Sequence, residues 1–162
     1  MTARKDPLLS MDDFLRAAPG ETALFGLDLG TRTIGIAISD LRRQIASPLV
    51  TIRRKAFKTD AAELLRLAET RAIGGIVLGM PFNMDGSAGP RVQATRAFAK
   101  NLSALTDLPM LAWDERMSTA AVTRTLIAAD ASRARRAELV DKVAAAYILQ
   151  GALDRMGSGG LG

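Results

Sequence analysis

The sequence predicts an α/β domain built on a mixed sheet of five strands flanked by helices. The first sign is an apolar stretch over residues 24–40, interrupted at residues 30–33 by Gly and polar residues, which is typical of a buried hairpin. Residues 48–53 read as a third strand and complete an antiparallel meander. Further along, amphipathic helices alternate with short apolar runs, which indicates parallel strands joined by helical crossovers.

The helices before and after the meander follow from local signals. Ser10 is the predicted N-cap of a short helix over residues 11–18. Thr59 or Asp60 is the predicted N-cap of the next helix, which leads into a buried parallel strand at residues 73–79. A helix placed between two parallel strands implies a right-handed crossover.

The second half of the chain adds helices and the fifth strand. Pro90 begins a helix, residues 110–113 form the strand, and Ser118 caps a further helix. The last helix is predicted over residues 138–156. Three segments are predicted. Residues 1–20 are an N-terminal extension with a short helix, residues 21–156 are one folded domain, and residues 157–162 are a flexible tail.

Length and composition restrict the chemistry. The 162 residues suffice for one sizeable core, and 48% hydrophobic with 24% charged residues is typical of a soluble globular protein. The sequence has no Cys and no His, which excludes disulfides, thiolate sites and imidazole ligands or bases. Catalysis would rely on carboxylates, Lys or Arg, hydroxyls, or a metal held by oxygen. No apolar run is long enough to span a bilayer, so we expect a cytoplasmic protein without a membrane partner.

The charge balance favours an anionic partner. A formal charge of +5 and a pI near 10.2 suit a polyanion, and an aromatic content of 4% argues against recognition mainly by base stacking. The densest basic stretch, residues 42–58, has six Lys or Arg and no acid. Arg53, Arg54 and Lys55 are its candidate phosphate contacts. A charged edge strand that resists aggregation explains the same residues equally well.

The loop over residues 80–89, MPFNMDGSAG, is a candidate substrate-binding segment. Ligand sites in open α/β sheets lie beyond the carboxyl ends of strands, which makes Asn83, Asp85 and Gly86 candidate contacts. A plain strand-to-helix connection is the competing interpretation. Arg32 in the hairpin turn and Arg116 after the last strand are further candidates.

Three acidic positions are unusual. Asp28 lies within an apolar strand, where an ionised carboxylate is costly unless a cation or hydrogen-bond donors compensate it. Asp141 lies in register with the apolar face of the last helix. Asp114 and Glu115 cannot both face Asp28, because successive strand residues point to opposite faces, and the spacing does not choose between them. Turn hydroxyls, the helix dipole and Arg116 would explain these acids without any catalytic role.

A cluster of these acids would require a cation. Like charges repel and raise one another's pKa, so the cluster implies a hard divalent ion, and oxygen-only ligands favour Mg²⁺ or Mn²⁺. Two such ions about 4 Å apart can activate a water and stabilise the leaving oxygen in phosphodiester cleavage. In a basic protein, nucleic acid is the natural substrate of such a site.

Four segments resemble, in order and approximate spacing, blocks of the YqgF family, also called RuvX: LDLGTRTIGIAISD, LGMPFNMDGSAG, DERMST and DKVAAAYIL. The resemblance implies a ribonuclease H-like fold, as in RuvC-type Holliday-junction resolvases. It implies a metal-dependent nuclease, a hydrolase of ester bonds, that matures the 5′ end of precursor 16S ribosomal RNA in ribosome biogenesis. It also implies Asp28, Glu115 and Asp141 as the catalytic, metal-binding residues, and so selects Glu115 over Asp114. Met80 stands where the family usually has Leu.

Three alternatives remain open. Residues 28–31 also resemble the first phosphate loop of actin-type ATPases and sugar kinases, although 162 residues leave no room for their second lobe. A non-catalytic binder of structured RNA is the second alternative, and a branched-DNA resolvase is the third. We expect nucleic acid as the partner, ribosomal particles as a further candidate, and a monomer or homodimer.

Overall fold

The structure is a computed structural model that describes residues 6–117 and 133–159, with side chains over residues 6–117 and 141–157. Its strands are β1 (Leu8–Leu9), β2 (Leu24–Leu29), β3 (Thr33–Ser39), β4 (Ala46–Arg53), β5 (Gly75–Met80) and β6 (Met110–Asp114). Its helices are α1 (Met11–Ala17), α2 (Phe57–Thr70), α3 (Pro90–Ser103) and α4 (Arg133–Gly159), and a 3₁₀ turn covers Glu115–Met117.

The strands form one mixed sheet in the order β1-β6-β5-β2-β3-β4. Strands β2, β3 and β4 pair antiparallel, whereas β5 is parallel to β2, and β6 to β5. The expected α/β class and the meander extended by two parallel strands are therefore confirmed. The strand count was wrong, because Leu8 and Leu9 pair with Met110 and Leu111 and make a sixth strand at the edge. Two residues are too few to show the alternation that identifies a strand.

The sheet separates two apolar cores. Side chains of β2 alternate, so that Phe25 and Leu27 pack with helices α2 and α3, whereas Leu24 packs with α1 and α4. The inner face of α4 is fully buried and consists of the residues predicted from helical spacing: Ala144, Ala145, Ile148, Leu149 and Ala152. The two faces of the sheet thus carry different helices, and α4 contacts β2, β3, β4 and β5 on its side.

Glycines let α4 approach the sheet closely. A Cβ at Gly26 would lie 2.6 Å from the Leu149 Cβ, and one at Gly79 would lie 2.5 Å from the Ile148 Cδ1. A Cβ at Gly35 would overlap the backbone carbonyl of Asp141. Because these three positions lack a side chain, the helix backbone rests on the strands, and Asp141 is placed directly over β3.

The predicted start of α2 was wrong. The helix begins at Phe57, with Ala56 as an N-cap that makes no side-chain hydrogen bond. Asp60, one of the two predicted caps, lies inside the first turn and is buried. Its carboxylate accepts hydrogen bonds of 3.0 and 3.2 Å from the Lys55 amide. Asp60 therefore lies inside the helix but accepts hydrogen bonds from an amide that precedes the helix. Sequence spacing does not distinguish this arrangement from an N-cap.

The other predicted helix ends have mixed outcomes. Ser10 caps α1, since its hydroxyl accepts a hydrogen bond of 3.2 Å from the Asp13 amide. Helix α4 begins at Arg133, ahead of the predicted residue 138. The helix predicted from Ser118 lies outside the described residues, and the division into extension, domain and tail stays an interpretation. Among the helices of the described ranges, none has the length and apolar character needed to cross a bilayer.

Candidate active site

Asp28 is the buried acid at the carboxyl end of β2. Only 3% of its surface is exposed, and it lies directly opposite Gly35 on β3. Directly opposed residues of an antiparallel pair project to the same face of a sheet. Since the Cα–Cβ direction of Gly35 meets the backbone of α4, the Asp28 carboxylate also projects to the α4 face. The missing side chain at Gly35 lets the α4 backbone at Asp141 approach the strand beside it.

Asp141 of α4 lies over the hairpin turn. The Thr33 hydroxyl donates a hydrogen bond to the Asp141 Oδ2, and this oxygen lies 3.8 Å from the position that a Cβ of Gly30 would take. The Asp141 carboxylate is therefore held at the end of β2 and β3, on the face to which Asp28 projects.

Glu115 is the third acid of this face. Its Oε1 lies 3.1 Å from the Cβ position of Gly79, whose Cα–Cβ direction also meets α4. Asp114 instead accepts hydrogen bonds from the Arg116 side chain, at 2.6 Å from Nη2 and 3.1 Å from Nε. This pairing with Arg116 lowers the pKa of the Asp114 carboxyl and raises the pKa of the guanidinium. Of the two neighbouring acids, Glu115 is the one on the α4 side.

The three acids surround one strand end. Strand β2 runs beside β5 with Leu27 next to Leu78, so continuing the register by one residue places Asp28 beside Gly79. Glu115 and Asp141 thus flank Asp28 on either side. Among the side chains of residues 6–117 and 141–157, no three acidic groups already lie close enough together to hold a metal ion.

The donor chemistry of this strand end nevertheless fits a hard cation. All three side chains offer carboxylate oxygen, the ligand type that Mg²⁺ and Mn²⁺ prefer. Asp28 lies on a strand that is paired on both sides, and Glu115 and Asp141 come from the elements that flank it. The site therefore matches such an ion in ligand type and in the face of the sheet that it occupies.

The predicted basic residues gather around the same turn. Arg53 pairs with Thr33 in the sheet register, and the Arg54 amide donates to the Arg32 carbonyl at 2.8 Å. The side chains of Arg32, Arg53 and Lys55 are exposed. Their charge is therefore concentrated next to the acidic strand end, although contact with a substrate stays a prediction.

The loop after β5 is shaped by its own polar residues. Asn83 Nδ2 donates to the Ser87 hydroxyl at 2.9 Å, and the Asp85 carboxylate accepts bonds of 2.8 and 2.6 Å from the Ser87 amide and hydroxyl. These bonds from Ser87 lower the pKa of the Asp85 carboxyl. Gly86 adopts a φ of 88°, which a residue with a side chain rarely adopts. The three predicted contacts thus form a compact turn whose role toward substrate stays a prediction.

Arg116 connects this loop to the end of β6. Besides its bond to Asp114, its guanidinium lies 5.7 Å from the centroid of the Phe82 ring and donates to the Met84 carbonyl at 3.5 Å. The loop is therefore fixed to the strand that ends beside Glu115. The sequence suggested Arg116 as a substrate contact or as a partner of the neighbouring acids, but not its contacts with the loop after β5.

Arg91 is a basic residue near the site that sequence reasoning missed. Its guanidinium Nη2 donates to the Leu29 carbonyl at 3.4 Å, next to Asp28 in the chain. Arg91 lies outside the basic stretch of residues 42–58, so clustering of charge along the sequence does not identify it. Its position just inside a helix that follows a candidate substrate loop is the only signal that could have identified it.

The mixed sheet, with helices on both faces and acids at the end of its central strand, defines a ribonuclease H-like α/β protein. Among solved structures, Thermus thermophilus RuvC in complex with a Holliday junction substrate matches 85% of this chain and 97% of its own, with a TM-score of 0.54 and 14% sequence identity. A second structure of Thermus thermophilus RuvC matches with a TM-score of 0.51. At this identity the likeness establishes the fold alone.

The family described as "RuvX: Holliday junction resolvase" matches residues 22–155, and the chain belongs to this family. A relative from Rhodospirillum rubrum is 60% identical over 151 residues, which cover 93% of this chain and 94% of the relative. One from Rhodobacter capsulatus is 62% identical over 146 residues, covering 90% and 92%. Both relatives carry the name "Putative pre-16S rRNA nuclease". The family and the fold expected from the four sequence segments are thus confirmed.

Proposed function

We propose that this protein is a metal-dependent endonuclease that hydrolyses a phosphodiester bond in the 5′ leader of precursor 16S ribosomal RNA. The observation that carries the proposal is the placement of Asp28 between Glu115 and Asp141 on one face of the sheet. The names of the curated relatives support the substrate, and the RuvC-like fold supports the reaction class. We assign the activity to the cytoplasm, with precursor ribosomal particles as its context.

Asp28, Glu115 and Asp141 would hold the divalent cations, Mg²⁺ or Mn²⁺. When bound, a pair of such ions supplies an activated water and stabilises the charge on the leaving oxygen. Asp28 contributes a ligand of fixed position, because its strand is paired on both sides and its side chain is buried. Glu115 and Asp141 would contribute ligands from the flanking elements, and a bound cation would offset the repulsion between the carboxylates.

Thr33 and the basic residues would support this centre. The Thr33 hydroxyl fixes the direction of the Asp141 carboxylate by donating to its Oδ2. The exposed side chains of Arg32, Arg53 and Lys55 add positive charge around the same turn, which attracts a polyanion and holds its phosphates. The loop after β5 and the end of β6 would add further substrate contacts through Asn83, Asp85, Gly86 and Arg116.

A four-way DNA junction is the second candidate substrate, favoured by the description of the family as a Holliday junction resolvase. The geometry of the carboxylates serves RNA and DNA equally, because the chemistry at a phosphodiester is the same for both. The proposal of an RNA substrate therefore depends on the names of the relatives, and a direct comparison of substrates is required.

One cleavage panel tests the function. The full-length protein is incubated with a labelled precursor 16S leader RNA, a four-way DNA junction and a linear duplex, each with Mg²⁺, Mn²⁺ or EDTA. We expect cleavage of the RNA leader with either metal and none with EDTA. If the protein cuts the junction in preference to the RNA leader, branched DNA becomes the proposed substrate instead of RNA. Binding of RNA without cleavage under any condition would overturn the nuclease proposal and favour a non-catalytic binder.

A further inference from the structure

A small cleft lies on the side of the hairpin turn opposite to the acids. It is bounded by the turn at Gly30 and Thr31, by Arg54 after β4, and by the face of α3 that carries Arg91 and Phe98, with a volume of about 60 Å³. Leu29 in its wall packs with Phe98 in the core on the α2 and α3 side of the sheet. The volume is enough for several water molecules or one small anionic group.

Two guanidinium groups face this cleft. Arg54 Nη1 donates to the Gly30 carbonyl at 2.7 Å, and its guanidinium carbon lies 5.9 Å from the centroid of the Phe98 ring. Arg91 donates to the Leu29 carbonyl at 3.4 Å. Both side chains are therefore held at the cleft by neutral groups. Among the side chains that the structure describes, no carboxylate forms an ion pair with either arginine.

The electrostatics of the cleft favour an anion. A guanidinium carries five N–H donors, and the bonds to Gly30 and Leu29 account for only part of them. The two positive groups repel each other, and the apolar Leu29 and Phe98 in the wall lower the local screening of charge. The guanidinium fork matches the oxygens of a phosphate group in geometry and in charge.

We propose that this cleft binds a backbone phosphate of the nucleic acid, at a different nucleotide from the phosphate that is cut. The inference rests on the proposed nuclease function, because it takes the carboxylates to mark the cutting position. The Gly30–Thr33 turn has the Asp141 carboxylate on one side and the arginines on the other. A strand crossing this turn is held at two phosphates, and the second contact fixes which linkage reaches the acids.

Arg91 gives the cleaner test of the two arginines, because Arg54 also supports the hairpin through the Gly30 carbonyl. The experiment measures binding of a fluorescent leader RNA to the full-length protein in EDTA, where no cutting occurs. Arg96→Gln is the matched control, since Arg96 is exposed on the same helix and does not line the cleft. We expect Arg91→Gln to weaken binding roughly two- to tenfold. It should also lower the slope of log K against log salt concentration by about 0.7 to 0.9.

A second experiment locates the phosphate. Uncharged methylphosphonate linkages are placed one at a time along the RNA around the cut. Wild type and Arg96→Gln should lose affinity at one particular linkage, and Arg91→Gln should be insensitive to that same linkage. If Arg91→Gln and Arg96→Gln respond alike at every linkage while wild type still cleaves, the cleft proposal fails and the nuclease proposal stands. If wild type never cleaves but the linkage pattern appears, the nuclease proposal fails and the phosphate site stands.

A third experiment tests whether the cleft instead binds a free phosphate compound. Thermal unfolding of wild type and Arg91→Gln is followed with ATP or inorganic phosphate alone. We expect no stabilisation by either compound at concentrations below about 1 mM, because a single phosphate in a shallow cleft gains its affinity from the rest of the strand. Stabilisation of wild type by ATP that is lost in Arg91→Gln would overturn the assignment to nucleic acid.

Discussion

The Thr33 hydroxyl donates a hydrogen bond to the Asp141 carboxylate across 108 positions of sequence. The bond joins the hairpin turn to α4 at the place where the acids gather. Thr33 is buried, with 9% of its surface exposed, so water cannot readily replace its hydroxyl. Thr33 therefore acts as a positioning residue for Asp141.

The first prediction concerns this bond. Thr33→Val removes the donor at nearly constant volume and takes one charge-assisted hydrogen bond from the carboxylate, so the protein should lose about 1.5–3 kcal/mol of stability. The single-turnover cleavage rate should fall while RNA binding in EDTA is unchanged, because the hydroxyl orients an acid and contacts no phosphate. Thr33→Ser keeps the hydroxyl and should restore most of the rate. A Ser variant as slow as the Val variant would contradict an orienting role.

The second prediction separates Asp28 from other buried acids. Asp28→Asn should reduce cleavage by more than about 100-fold, since it removes a charge from the proposed metal centre. RNA binding in EDTA should be retained. Asp60→Asn is the matched control, because Asp60 is equally buried, at 3% exposure, but its carboxylate caps the Lys55 amide. Stabilisation by Mn²⁺ in thermal unfolding should disappear in Asp28→Asn only. Equal rates for the two variants would remove Asp28 from the active centre.

The third prediction concerns the close approach of α4 to the sheet. Gly35→Ala places a methyl group against the backbone of Asp141, which cannot rotate away as a side chain can. The substitution should cost about 1–3 kcal/mol in urea unfolding, as overpacking does, and should slow cleavage by displacing Asp141. Gly20→Ala serves as the control, because nothing lies within 4 Å of its Cβ position. Unchanged stability in Gly35→Ala would show that the helix can shift freely.

Much of this fold could be predicted because its signals are local. Asp28 is anomalous within its own strand, since a charge in a continuous apolar run needs an explanation from sequence alone. Asp141 stands out in the same way on a helix whose other inward positions are apolar. The order of meander, helices and parallel strands follows from periodicity, which requires no knowledge of tertiary contacts.

What sequence reasoning missed depends on contacts between distant segments. Arg91 is an ordinary residue of a first helical turn, and only the approach of the hairpin turn gives it a partner. Gly35 looks like any glycine in a strand until a helix backbone is placed over it. The edge strand Leu8–Leu9 exists because β6 offers it an unpaired edge. In each case the structural role of the residue depends on a contact with a segment far away in the chain.

The last prediction concerns acid pH and the loop after β5. The Arg116 guanidinium lowers the pKa of the Asp114 carboxyl, so the pair stabilises the folded state wherever this acid is ionised. The contribution is complete above the unfolded pKa of about 4 and is lost as the pH falls through the lower folded value. The stability difference between wild type and Arg116→Gln should therefore be constant from about pH 5 to 8 and should shrink below about pH 4.

NMR titration of the Asp114 carboxyl carbon measures the same coupling directly. In wild type the pKa of the Asp114 carboxyl should lie below the ordinary value for an aspartate. In Arg116→Gln it should return toward that value, because the hydrogen bond from the guanidinium is the main cause of the lowered pKa. Arg16→Gln is the control, since Arg16 pairs with the exposed Asp13 at 3.4 Å, far from the loop in the chain. If Arg116→Gln leaves the Asp114 midpoint unchanged, the anchoring of the loop through this pair is wrong. A shifted midpoint together with faster proteolysis of the Met84 segment would establish that the ion pair holds the loop beside Glu115.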